Sequence, residues 1–164
     1  MKKILLAGII GLLLCVSGVF ADHPGGLGIG IVGRANVGYH LGFGPGLSLK
    51  VSSLPVYWGV NLSIGDGYFN VGVTGDYYFY DKSLVPEIFM GWFLGVGGYG
   101  NLYISDGFLG LQAGARVPIG LNWLLLNNFL EIFIDVAPSL GFQTFDPYFP
   151  DWGFPFEIGL RVWL

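Results

Sequence analysis

The sequence predicts an all-β fold, an eight-stranded antiparallel up-and-down transmembrane β-barrel. Three observations predict it. Apolar residues recur with a period of two along most of the chain, which is the spacing of one face of a strand. Only 11% of the 164 residues are charged, while 53% are hydrophobic and 17% aromatic, against roughly 25% charged in ordinary soluble domains. The 29 glycines follow no collagen-like period and fall mostly on the face opposite the bulky residues.

The chain is expected to open with a cleaved secretory signal, the alternative being an uncleaved anchor, since the apolar run nearly reaches spanning length. Lys2 and Lys3 precede an apolar run from Ile4 to Phe20, and Val19 and Ala21 are small enough for the −3 and −1 positions of a cleavage site. Cleavage after Ala21 divides the chain into a signal peptide, 1–21, and a barrel domain, 22–164. A lipoprotein reading through Cys15 is disfavoured because Leu14 is bulky where a small residue is needed. The mature chain loses its only cysteine, so it has no disulfide framework. It also loses Lys2 and Lys3, leaving five basic against eleven acidic residues and a formal charge of −6. That balance argues against nucleic acid, whose binders carry basic patches.

Eight alternating segments follow in order. In 26–33, Leu27, Ile29 and Ile31 share a parity. In 46–53, Leu47, Leu49 and Val51 oppose Gly46, Ser48 and Lys50. In 56–64, Val56, Trp58, Val60, Leu62 and Ile64 oppose Tyr57, Gly59, Asn61 and Ser63. After the hairpin signal GDG at 65–67, Phe69, Val71, Val73, Tyr77 and Phe79 oppose Asn70, Gly72, Thr74 and Asp76. In the fifth segment, Ile88 to Val96, the even positions oppose Gly91, Phe93 and Gly95. In the sixth, Leu109 to Leu121 oppose Gln112, Gly114, Arg116, Gly120 and Asn122. In the seventh, Leu130, Ile132, Ile134, Val136 and Leu140 oppose Glu131, Phe133 and Asp135. In the last, Phe154 to Leu164 oppose Glu157, Gly159 and Arg161.

One parity is therefore almost wholly apolar, and the other is small, polar or charged. Too many bulky residues lie on the apolar face to fit inside so small a barrel. That face is predicted to meet lipid, and the glycine-and-charge face to line a narrow lumen. A spanning sheet must close, because unpaired amides are costly in hydrocarbon. An alternative is a spanning helix over 88–105, which has no charge. Its five glycines and period of two argue against that.

The lumen is predicted to hold a polar network of Lys50, Asp76, Arg116, Glu131, Asp135, Glu157 and Arg161. Paired, such charges can be buried, and they would plug the tube. Aromatic belts are expected at the two interfaces, with Trp58, Tyr77, Phe79, Trp92 and Trp123 at one set of strand ends. Trp152, with Phe69, Phe142 and Phe154, falls at the other. Outward loops are expected at 34–45, 65–67, 98–107 and 143–152, and inward turns at 53–55, 80–87 and 124–128. The aromatic, acidic loop QTFDPYFPDWG supplies candidate partner contacts at Asp146, Tyr148, Phe149 and Asp151.

Other chemistry is disfavoured. GVGGYG at 95–100 matches a nucleotide fingerprint, but no helix follows it. His23 and His40 are isolated, make a poor metal site and are expected to be solvated. His40 with Ser48 lacks the orienting third group that an activated nucleophile needs. No catalytic residue, metal or cofactor is expected.

PGLSLK (45–50), ARVPIGLNWLL (115–125) and LEIFIDVAP (130–138) resemble a family of small spirochaete outer-membrane proteins of uncharacterised function, described as OmpA-like or OmpX-like eight-stranded barrels. The likeness runs over most of the mature chain. It implies surface exposure and, as for some members, binding of host extracellular proteins such as complement regulators or matrix components. The terminal Leu164 departs from the phenylalanine usual in proteobacterial barrels, although Leu160, Val162 and Leu164 keep the alternating apolar end.

The expected protein is thus a monomer in outer-membrane lipid with both termini in the periplasm. It would be a structural or adhesive surface protein acting through its loops. The alternatives are a narrow channel for small or apolar solutes and, behind it, a membrane-embedded lipid-modifying enzyme.

Overall fold

The period of two is realised as one antiparallel sheet. A computed structural model describes residues 23–38, 41–65, 68–105, 108–144 and 150–164. The signal segment, the cleavage site, His40, Asp146, Tyr148 and Phe149 lie outside the described residues. The strands are β1 (Gly28–Gly38), β2 (Gly42–Lys50), β3 (Tyr57–Gly65), β4 (Tyr68–Val85), β5 (Met90–Ser105), β6 (Phe108–Arg116), β7 (Ile119–Leu125), β8 (Leu130–Val136), β9 (Ser139–Gln143) and β10 (Asp151–Trp163). A 3-10 turn at Pro86–Ile88 joins β4 to β5. The sheet closes on itself, because β1 pairs with β2 on one side and β10 on the other, from Gly28–Trp163 to Gly38–Gly153.

Among the described residues the strand count corrects the expected eight to ten, and proline is the reason. Pro118 separates β6 from β7 and Pro138 separates β8 from β9. Proline has no N–H to give to a ladder. Around each break single backbone bonds carry on: Gly95 to Pro118, Val117 to Pro138 and Ala137 to Pro155. Accordingly β5 is flanked by both β6 and β7, and β10 by both β8 and β9. Inside–outside alternation runs through both breaks without a slip.

Several expected loops are strand instead. Residues 34–38, 42–45, 80–85 and 98–105 extend β1, β2, β4 and β5 beyond the expected boundaries. The 88–105 stretch, GVGGYG included, is strand from Met90 onward. Among the described residues, no helix is long and apolar enough to cross a membrane, which says nothing of strands.

The distribution of side chains is inverted relative to a water-soluble barrel. Ile31, Leu47, Ile64, Leu109, Leu140, Phe142 and Ile158 are all at least 60% exposed. The buried set instead includes Asn61, Asn70, Asp76, Gln112, Arg116, Glu131, Asp135 and Arg161. Trp58 and Trp152 are exposed, and Tyr77, Phe79, Trp92 and Trp123 half-buried. Phe79 departs from the alternation, since it is the extra residue of a bulge between Tyr78 and Tyr80. That bulge turns Tyr80 onto Trp92, with ring centroids 4.4 Å apart, and carries Asp81 to the interior.

Glycine makes room for the large inward side chains. Gly97 lies between Asp76 and Arg116 in register, and a Cβ there would strike the Asp76 carboxylate. Gly159 lies opposite Phe133, whose ring occupies the space of its missing Cβ.

Candidate functional site

The interior holds three tiers of polar side chains. The middle tier centres on Arg116, which the alternation of β6 turns inward. Its Nη1 donates to Glu157 Oε1 at 3.0 Å. Its Nε lies 3.3 Å from Asp76 Oδ1 and its Nη2 3.9 Å from Asp135 Oδ1. Arg34 joins from β1, with Nε 3.6 Å from Glu157 Oε1, and its Nη1 donates to Asn61 Oδ1 at 2.8 Å.

The second tier lies toward the end of the sheet where β1 begins and β10 ends. Arg161 Nη1 donates to Glu131 Oε2 at 2.6 Å, and the two are register partners. Trp163 Nε1 donates to the same oxygen at 2.9 Å. The Arg161 guanidinium lies 4.7 Å from the Phe133 ring centroid and 4.9 Å from that of Tyr57, within cation–π reach. Ser48 Oγ accepts from Arg161 Nη2 at 2.8 Å. His23 completes this tier between Asp81 and Glu131.

The third tier, toward the opposite mouth, is mostly neutral. Asn101 donates to Gln112, and Gln112 Nε2 approaches Gln143 Oε1 and Asp151 Oδ1 at 3.3 and 3.2 Å. The Tyr99 hydroxyl donates to Asp151 Oδ2. Cavities of about 30 Å³ and 20 Å³ lie in this tier and beside Asp76 and Asp135. Each has room for a water or two, since a water needs roughly 10–15 Å³.

Of the seven predicted lumen residues, the structure brings six together in two groups, Arg116 with Asp76, Asp135 and Glu157, and Arg161 with Glu131. Arg116 reaches Asp135, Arg161 reaches Glu131, and Glu157 is the register partner of Asp135. Lys50 is the exception. Its Nζ donates to the carbonyls of Val51 and Leu54 at 3.1 and 2.6 Å, because β2 ends there and the turn offers the nearest acceptors. Asp151, expected as a loop contact, is instead a buried residue of β10 held by Tyr99 and Gln112. His23, expected to be solvated, is 7% exposed. Arg34 and Asp81 fall within the expected loop 34–45 and turn 80–87. Continuing the inward parity of β1 from Val32 would have found Arg34, whereas the bulge at Phe79 hides Asp81. Among the described residues, no group of three or more His, Cys, Asp or Glu side chains is placed to hold a metal.

The fold has solved counterparts. The chain is similar to the N-terminal β-barrel domain of Pseudomonas aeruginosa OprF, with a TM-score of 0.51 and 10% identity over 82% of this chain and 97% of that one. It also matches Neisserial surface protein A, with a TM-score of 0.46 and 12% identity over 84% of this chain and 96% of that one. The first likeness shows a β-barrel fold. No family model and no curated protein matches the chain.

Proposed function

We propose that this protein is a small outer-membrane β-barrel with a salt-bridged, mostly plugged lumen, acting as a structural or surface-exposed protein through its loops. The inverted distribution of side chains carries the reading. Soluble monomers rarely expose contiguous apolar patches beyond a few hundred Å². Here the outward apolar residues of every strand form one continuous band, which acyl chains would cover. Strands of 9–11 residues suffice to cross a bilayer when tilted. β1, β2 and β3, at 11, 9 and 9 residues, meet that length. So do β6 and β7 taken together across Pro118, and likewise β8 and β9 across Pro138.

The tiers of paired side chains across the lumen support the structural role ahead of a narrow channel. The cavities between them are large enough for water alone. Function then falls to the connections. The family resemblance supports binding of host extracellular proteins, and the aromatic, acidic composition of 143–153 makes that connection the candidate contact; in this reading both termini lie on the periplasmic side and the barrel is a monomer.

Single-cysteine labelling tests the placement, since the expected mature chain has no thiol of its own. On intact cells, a membrane-impermeant maleimide should label Tyr148→Cys but not Ser53→Cys in the turn at the opposite end. Labelling only after the cells are lysed would contradict the surface reading.

A further inference from the structure

We propose that the end of the lumen where β1 begins and β10 ends is a cation-accepting cage, and that the segment just ahead of β1 fills it with the His23 imidazolium as a tethered ligand sealing that mouth. The inference depends on the closed sheet and not on what the loops bind.

The cage is built from six strands. Asp81 of β4 and Glu131 of β8 stand on opposite sides of the ring. Asp81 Oδ2 meets Nδ1, and Glu131 Oε1 lies 2.7 Å from Nε2. The side-chain amide of Asn122 of β7 lies 2.9 Å from the same Nε2 through Nδ2; turned over, it would bring up Oδ1, which has no partner among the described residues, as the acceptor an imidazolium needs. Tyr57 of β3, Tyr78 of β4, Phe93 of β5 and Trp163 of β10 wall the ring at centroid distances of 5.5 to 6.0 Å. Two acidic acceptors within an aromatic box suit a flat organic cation.

The charges call for such an occupant. Glu131 gives its second oxygen to Arg161 and Trp163. Asp81 is 2% exposed, and among the described residues the hydrogen bonds recorded for its carboxylate come from His23, through Nδ1 and the backbone N–H. A buried carboxylate needs a paired charge. The other charged groups near the cage are Arg161, committed to Glu131, and Lys50, which reaches carbonyls at the rim. His23 lies ahead of β1, outside the strands. Burial disfavours its charged form, but Glu131 and Asp81 outweigh that and raise its pKa to about 9.

The segment is also tethered close by. Leu27 and Leu164 exchange backbone bonds of 3.0 and 2.8 Å at the rim. The imidazole therefore reaches the cage over four residues, and short tethers give effective concentrations in the millimolar range.

Chemical rescue tests the proposal in the full chain purified in detergent micelles. His23→Gly should lower the thermal midpoint by more than about 5 °C. Millimolar imidazole at pH 7 should restore it saturably. Pyrazole, the same shape but neutral at that pH, should not, and the rescue should vanish in His23→Gly with Asp81→Asn. An unchanged midpoint, or equal rescue by pyrazole, would overturn the cage. Should the glycine variant fail to fold, the His40→Gln variant leaves one imidazole for NMR. That ring should be doubly protonated at pH 7.5, and a neutral ring would overturn the proposal equally.

Discussion

Arg161 and Glu131 are register partners on β10 and β8, and their side chains meet inside the sheet at 2.6 Å with both residues at most 2% exposed. Removing one partner from such a pair typically costs about 3–5 kcal/mol, because the other charge stays buried. Arg161→Met should therefore destabilise the folded protein by that order in urea titration. The double replacement Arg161→Met with Glu131→Leu should be less damaging than the sum of its parts, although it leaves Asp81 as the one acid on His23.

Arg116 touches three carboxylates from three strands, Asp76, Asp135 and Glu157. Arg116→Ala should weaken the fold more than loss of a single acceptor such as Asp76→Asn. Comparing the urea midpoints of the two variants checks this. A milder effect for the arginine would mean that the middle tier is not organised around it.

Glycine substitutions separate the two faces. Gly97→Leu places a side chain against Asp76 and the backbone of Gly75, so it should prevent folding or lower the thermal midpoint strongly. Gly33→Ala points outward, where Ile158 Cγ2 at 3.8 Å is an ordinary contact. It should change the midpoint little.

Stability should depend on His23 in a defined pH window. Its folded pKa, about 9, lies above the ordinary 6.5, so folding takes up a proton between those values. The contribution is complete below about 6.5 and is lost as pH rises through about 9. The wild-type urea midpoint should fall across that window, and His23→Gln should flatten the fall.

Much of this was legible because parity survives irregularity. The acids at 131 and 135 and the arginines at 116 and 161 sit on inward parities that no break disturbs. What stayed hidden broke the period or lay beyond it. Pro118 and Pro138 cut the ladder while leaving the alternation intact, so two broken strands read as whole. The bulge at Phe79 shifts β4 by one residue and conceals Asp81. His23 belongs to no alternating segment, so no pattern could place it between two strands' carboxylates.

A lipid-facing wall also makes outward charge expensive. Ile158 is 61% exposed near the middle of β10. Ile158→Arg should cost about 2–4 kcal/mol in a bilayer if that position lies near the midplane. Unfolding from lipid vesicles measures it, and no cost would place the residue in water.

The most direct measurement is the behaviour of the purified mature chain as detergent is withdrawn, followed by size-exclusion chromatography with light scattering. An apolar exterior should leave it monodisperse in micelles and aggregated without them. A monodisperse monomer in plain buffer would mean that the outer wall faces water, contradicting the account.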